Sequence, residues 1–398
     1  MHDFRPRNRG LALFEAGFRP FFLLAGLDGL ANMILWLAAY FHPRIWPADA
    51  IPAMYWHAHE MLFGFAGAAI AGFLLTAVPN WTGRPPYRGP ALWLLTGLWI
   101  GGRIVMLPFF AQSSLGLAIS LSFFPALALT VAPTLLRARK YRNLPFLVLL
   151  LLLFSADLCF QKGFGGAPEL GQHIGLYAAL DIIMVMIVII GGRIIPVFTR
   201  NALVKWGTSA TVLSRTWLER GAILSLLLMV VLDMSMPLST ASGVATLVAA
   251  MFQAMRFSQW QGHHTLRDPL LWVLHLGYAW LVVALALKAG DLLAGAVIAE
   301  RWLHAFTVGG IGTMILAVMS RAALGHSGRP LVAPRPMALS YLLLTLAAII
   351  RVFAPVMFPG RYDQIVGVSG ALWILAFAIY LWVYTPILLT PRRDGKSG

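Results

Sequence analysis

The chain has 398 residues, of which 59% are apolar and only 11% charged, and it carries a formal net charge of +15. A soluble protein of this size needs roughly a quarter of its residues charged to cover its surface. This composition excludes an ordinary cytosolic enzyme and a disordered chain, and it excludes a nucleic-acid binder despite an isoelectric point near 10.6.

A membrane span takes about 20 mostly apolar residues. The pattern predicts an all-α, polytopic protein with about twelve transmembrane helices in one integral membrane domain, 1–398, and no cleavable signal peptide. Span one (20–41) carries Asp28, and span two (57–78) opens with His57, His59 and Glu60. Span three (91–110) holds Arg103 in its middle, where it needs a partner; Asp157, Asp181 or a propionate are the candidates. Spans four (114–136) and five (143–160) follow, the latter with Asp157. Span six (173–198) places His173, Tyr177 and Asp181 on one stripe, at i, i+4 and i+8. Spans seven (216–234) and eight (237–256) contain no histidine, and His263-His264 falls in the next loop. Span nine (270–289) buries His275, and span ten (294–319) has Glu300 and His304 at i, i+4. Spans eleven (336–356), with Arg351, and twelve (365–389) close the chain.

Of the 30 Lys and Arg residues, 21 lie in the termini and even-numbered loops and four in the odd-numbered loops. The positive-inside rule then places both termini in the cytoplasm and reads the net charge as a topology signal.

Residues 59–85 align without a gap to 304–330, with eight identities in 27 including His59/His304, Gly64/Gly309, Gly67/Gly312 and the closing Gly-Arg-Pro. Roughly two or three are expected by chance in so biased a composition. The end of span six, Val197–Leu203, resembles the end of span ten, Val318–Leu324, and His173 heads span six as His59 and His304 head theirs. Three four-helix repeats are the expectation. His326 aligns with Trp81, which argues against a ligand role there.

Polar groups within a bilayer are costly and mark function. The single Cys159 excludes a disulfide, a cysteine zinc site and an iron–sulfur cluster, and no Cys-x-x-Cys-His run offers covalent haem attachment, so metal chemistry rests on ten histidines. Two imidazoles facing across a bundle are able to clamp a non-covalent haem b, and three to hold copper. His57 and His59 stand about 200° apart on a helix, so they do not face one ligand. The repeat register makes His59 the inward one. Interfacial hydrogen bonding and helix capping are the alternative for each histidine.

Several runs together resemble the NnrS family. They are Leu13–Gly26, Trp56–Phe65 continuing to Val78–Gly83, Gly192–Thr199, Leu274–Tyr278, Leu303–Gly309 and Met314–Met319. The resemblance implies a twelve-helix bacterial inner-membrane protein with haem and copper, concerned with nitric oxide, nitrosative stress and denitrification. On this reading His59 and His304 are the first candidates for haem, with His275 as another. His173 is the copper candidate, with His57 beside it. Glu60, Glu300, Tyr177 and Asp181 support these ligands, and nitric oxide or iron-nitrosyl species are the partners.

Two alternatives stay open. A centre of the haem-copper oxidase or nitric-oxide reductase type needs adjacent histidines on span seven and a His-x-His on span ten. Span seven has none, span ten has only His304, and the His-x-His is His57-Ala58-His59 on span two. A secondary transporter would suit the embedded Asp28, Asp157, Asp181 and Arg351 and the parallel repeat.

Overall fold

A computed structural model describes residues 12–47, 51–109, 113–163, 167–294 and 299–394, with the side chains of Ala299 and Glu300 outside the described set. Arg5, Arg7 and Arg9 and the Glu300 carboxylate therefore lie outside the described residues.

Among the described residues twelve long helices follow one another. They are α1 (Phe18–Phe41), α2 (Ala53–Thr82), α3 (Pro90–Val105), α4 (Ser114–Arg137), α5 (Pro145–Lys162) and α6 (Pro168–Lys205). The second half comprises α7 (Thr216–Ser235), α8 (Thr240–Ser258), α9 (Pro269–Ala294), α10 (Arg301–His326), α11 (Arg335–Met357) and α12 (Tyr362–Leu389). Local chemistry sets their starts. Pro90, Pro145 and Pro168 stand at the first helical turn, where a missing N–H costs nothing. The hydroxyls of Ser113 and Ser239 accept from the backbone N–H of Gly116 and Ser242 at 3.0 and 3.1 Å.

Nine of these helices are long and apolar enough to cross a membrane. The other three are α3, α7 and α8. Helix α3 has 16 residues, and α7 carries Glu219, Arg220 and Asp233 while α8 carries Gln253 and Arg256. All of these except the exposed Arg220 face inward and pair. Arg256 bonds to Glu219, to Tyr278 Oη and to the Val188 carbonyl, and Gln253 donates to the Ala222 carbonyl at 2.7 Å. Lys288 of α9 pairs with Asp233. Each internal polar group lowers the hydropathy of its helix while tying it to a neighbour, as backbone and side-chain polar groups must be tied where water is absent.

Several boundaries differ from expectation, most of all around α6, α9 and α10. Helix α9 runs on to Ala294, so α10 begins after residues 295–298 and not at 294. Helix α6 has 38 residues, about 57 Å, because Pro168 starts it a turn before His173 and Pro196 sits inside it without ending it.

The first and last helices meet. Arg19 on α1 donates to the carbonyls of Leu388 and Thr390 at 2.8 and 2.6 Å, and Trp373 Nε1 on α12 donates to the Gly29 carbonyl at 2.8 Å. Outward faces keep Trp93, Leu115, Leu129, Leu228 and Trp382 exposed, the surface of a multi-pass membrane protein whose solvent is lipid.

Helices α2, α6 and α10 end in the same turn. Gly83, Gly207 and Gly328 adopt φ +65, +66 and +67. The next N–H reaches back to the carbonyl of Pro79, Leu203 or Leu324 at 3.0 Å in each case. This left-handed cap suits glycine, which has no Cβ to clash. The residue 24 positions before the glycine is His59, Ile183 and His304 respectively. So His173 does not occupy the position of His59 and His304. It lies ten residues further out, about 15 Å along α6, and is exposed.

Candidate functional site

Helices α2 and α10 each pass through a π-helical stretch that begins at the residue after the aligned histidine. The stretches are Glu60–Ala66 and Ala305–Gly312. An extra residue per turn re-aims the side chains around it, and such bulges concentrate at functional sites.

On α2 the result is a buried charge network. His59 is fully buried, with Nδ1 2.8 Å from Glu60 Oε1 and Nε2 2.9 Å from Asp157 Oδ1 of α5. Arg103 of α3 donates to the same Glu60 Oε1 at 2.6 Å. Gln161 Nε2 donates to Asp157 Oδ1 at 2.6 Å and to Ser120 Oγ of α4 at 3.0 Å. Phe63 and Phe160 pack against the imidazole at 4.8 and 4.5 Å between centroids. Asp28 of α1 is nine-tenths buried, and its Oδ2 has no hydrogen-bond partner. Gly64 makes room for this approach: a Cβ there would stand 2.7 Å from Asp28 Oδ2 and 3.1 Å from an Arg103 nitrogen.

Arg103 thus pairs with Glu60 and not with Asp157 or Asp181, the partners expected of it. Glu60 opens the π segment, where a 3.6-residue period does not describe side-chain direction. The contacts of His59 also differ from those of a haem ligand paired with His304. Both of its nitrogens lie at hydrogen-bonding distance from carboxylates.

The remaining candidates are dispersed. His57 stacks on Trp36 at 4.8 Å and 16°, and its buried Nδ1 has no partner. His173 stacks on Tyr177 at 4.3 Å, as the i+4 spacing implies, and Tyr177 leans on Trp302. Asp181, 2% exposed, belongs to a different group, in the electrostatic field of Lys288 and Asp233. His304 is half-buried near the start of α10. His275 packs between Phe257 and Trp260, with Nε2 2.9 Å from Thr199 Oγ1. The Thr199 hydroxyl already donates to the Ile195 carbonyl at 2.9 Å, so Nε2 carries the proton and Nδ1 is a bare lone pair. That buried lone pair has no hydrogen-bond partner and faces Gly262, where a Cβ would sit 2.6 Å away. Among the described residues no three His, Cys, Asp or Glu side chains converge as metal ligands do.

A cavity lies on the axis between α2, α6 and α10. Its upper chamber, about 70 Å³, is walled by apolar side chains such as Ala66, Ile70, Ile187 and Ile311. The lower chamber, about 420 Å³, shares Phe22, Phe73, Phe146, Ile190 and Val318 with the upper one. It adds Trp81, Phe198, Arg193, Arg321 and His326. This volume falls in the range of small-molecule and cofactor sites, roughly 300–1,000 Å³. Arg193 donates only to neutral groups, the Asn143 side-chain oxygen at 2.7 Å and the Arg142 carbonyl at 3.2 Å. Arg321 lies over the Phe198 ring at 4.2 Å. Neither makes a carboxylate ion pair among the described residues. Sequence reasoning missed this site because its residues come from turns far apart in the chain. The shared turn of α2, α6 and α10 was the available signal.

The model of the NnrS protein family matches residues 12–392. No curated protein matches the chain.

Proposed function

The chain belongs to the NnrS family, a membrane protein of the nitric-oxide response, and from that premise we propose that the axial cavity is its ligand site and holds a haem b. One observation carries this reading. A roughly 420 Å³ chamber with aromatic walls contains two arginines without carboxylate partners and one imidazole. That donor set fits a broad apolar body bearing carboxylates. Two arginines without a carboxylate in ion-pair contact, with Asp268 acting on Arg321 from further away, leave room for an anion.

Phe73, Trp81, Phe146 and Phe198 bind the apolar body, Arg193 and Arg321 hold its anionic groups, and His326 supplies the imidazole. When bound, a haem would supply an iron able to coordinate nitric oxide. The apolar upper chamber excludes water and admits a small uncharged gas from the lipid side. Among the described residues no donors converge on a copper, so no site is derived for it.

Twelve spans in three four-helix units, both termini cytoplasmic, the inner membrane and a link to denitrification complete the proposal. The shared glycine turn of α2, α6 and α10 supports the units, and the Lys/Arg bias supports the orientation. Transport is the second reading, favoured by the buried carboxylates Asp28, Asp157 and Asp181.

The test is the absorption spectrum of detergent-purified protein loaded with haem. His326→Ala is expected to remove or shift the Soret band, and Arg193→Gln with Arg321→Gln to weaken haem retention. Nitric oxide is expected to shift the band in the wild type. A band untouched by all three substitutions but lost in His59→Gln or His304→Ala refutes this placement.

A further inference from the structure

The hydrogen bonds around His59 can be counted. The two oxygens that face its ring, Glu60 Oε1 and Asp157 Oδ1, already accept from Arg103 and from Gln161. An oxygen in that position takes a further hydrogen bond only from a donor. A neutral imidazole has one N–H and one lone pair, and an imidazolium has two N–H groups. With both ring nitrogens at 2.8 and 2.9 Å from these oxygens, the arrangement needs one proton more than a neutral histidine between two carboxylates supplies.

We propose that His59, Glu60 and Asp157 form a proton-holding site inside the membrane bundle, with His59 as the carrier and not a metal ligand. The charges agree. Arg103 and a protonated His59 balance Glu60 and Asp157. Asp28, whose Oδ2 has no partner beside Arg103, provides a second place for a proton. The electrostatic partners of His59 are Asp157 and Glu60, and those of Asp28 are Glu60, Arg103 and His59. Moving the proton from His59 Nε2 to Asp157 Oδ1 breaks one N–H bond and forms one O–H bond. It changes no oxidation state and leaves the cluster's net charge unaltered. Exchange with the outside runs along the half-buried edge formed by Arg103 and Gln161. Helix α2 continues from His59 through its π segment to Ala66, which lines the upper chamber. The site is therefore placed to deliver or take up a proton for events in the cavity. It does not depend on what the cavity binds.

The experiment is infrared difference spectroscopy of the full-length protein in lipid, titrated between acid and alkaline pH in H₂O and D₂O. The His59→Gln spectrum identifies the His59 bands. In the wild type, the imidazolium and carboxylate bands of this cluster are expected to change together in one transition that carries a deuterium shift. Asp157→Asn and Glu60→Gln, each of nearly unchanged size, are expected to abolish that joint transition. His326→Ala is expected to leave it in place, so loss of haem and loss of this site are separate results. Two outcomes overturn the proposal. One is a wild-type His59 that stays neutral at every pH, with no exchangeable carboxyl proton. The other is a joint transition that survives Asp157→Asn and Glu60→Gln. The wild-type titration decides even where a variant does not fold.

Discussion

Helices α2 and α10 share a histidine, a π segment and a left-handed glycine cap in one register, yet they use them differently. Around α2 the space beside Gly64 is filled by Asp28 and Arg103, and Glu60 and Asp157 hold His59. Around α10 the equivalent Gly309 lies against the ring of Trp280, which a Cβ would meet at 2.5 Å, and Gly312 lies against that of Trp373, which a Cβ would meet at 2.6 Å. Ala305 stands where Glu60 stands. The backbone plan is common. The chemistry is ionic on one side and aromatic on the other, so a repeated scaffold does not imply a repeated ligand set.

Four measurements test this contrast, in descending order of expected effect. Glu60→Ala leaves Arg103 and His59 without their shared acceptor, and breaking a buried ion pair costs about 3–5 kcal/mol. Adding Arg103→Met should recover part of that loss in denaturant unfolding of the detergent-solubilised protein. No recovery would mean that the pair is not coupled. Gly309→Ala forces a methyl onto the rigid Trp280 ring and should cost about 1–3 kcal/mol. Gly64→Ala meets the ends of two flexible side chains and should cost less; the reverse order would break the comparison. Trp373→Phe loses the hydrogen bond to the Gly29 carbonyl, worth about 1 kcal/mol, and should lower the thermal midpoint slightly. His57→Phe keeps the stack on Trp36 and removes an unpartnered nitrogen. Its unfolding midpoint should move by no more than about 0.5 kcal/mol equivalent.

Much of the fold was legible, because hydropathy over a helix-length window is a local property. Each of the twelve predicted segments overlaps a long helix among the described residues. The errors came where a local rule met a tertiary tie: α9 runs past its predicted end in the helix that pairs Lys288 with Asp233. The site was legible only in outline. His59 and Glu60 were singled out correctly as buried polar residues, but Asp157, 98 positions away, has no pattern linking it to His59. His173 was placed by its position at the start of a span, and the common glycine turn assigns the equivalent position to Ile183. His326 was set aside because its repeat partner is Trp81, yet both residues line the same cavity.

Composition and periodicity alone determined a helical membrane protein, the rough limits of its helices, the His59/His304 register and the Gly-Arg-Pro turns, since each depends on neighbours within a few turns of chain. The tertiary structure decided that Arg103 pairs with Glu60, that His59 is bound at both nitrogens, and that α2, α6 and α10 line a cavity holding two arginines. Those facts depend on which helix faces which. In a bundle whose helices are apolar on nearly every side, packing sets the facing, and no one-dimensional period encodes it.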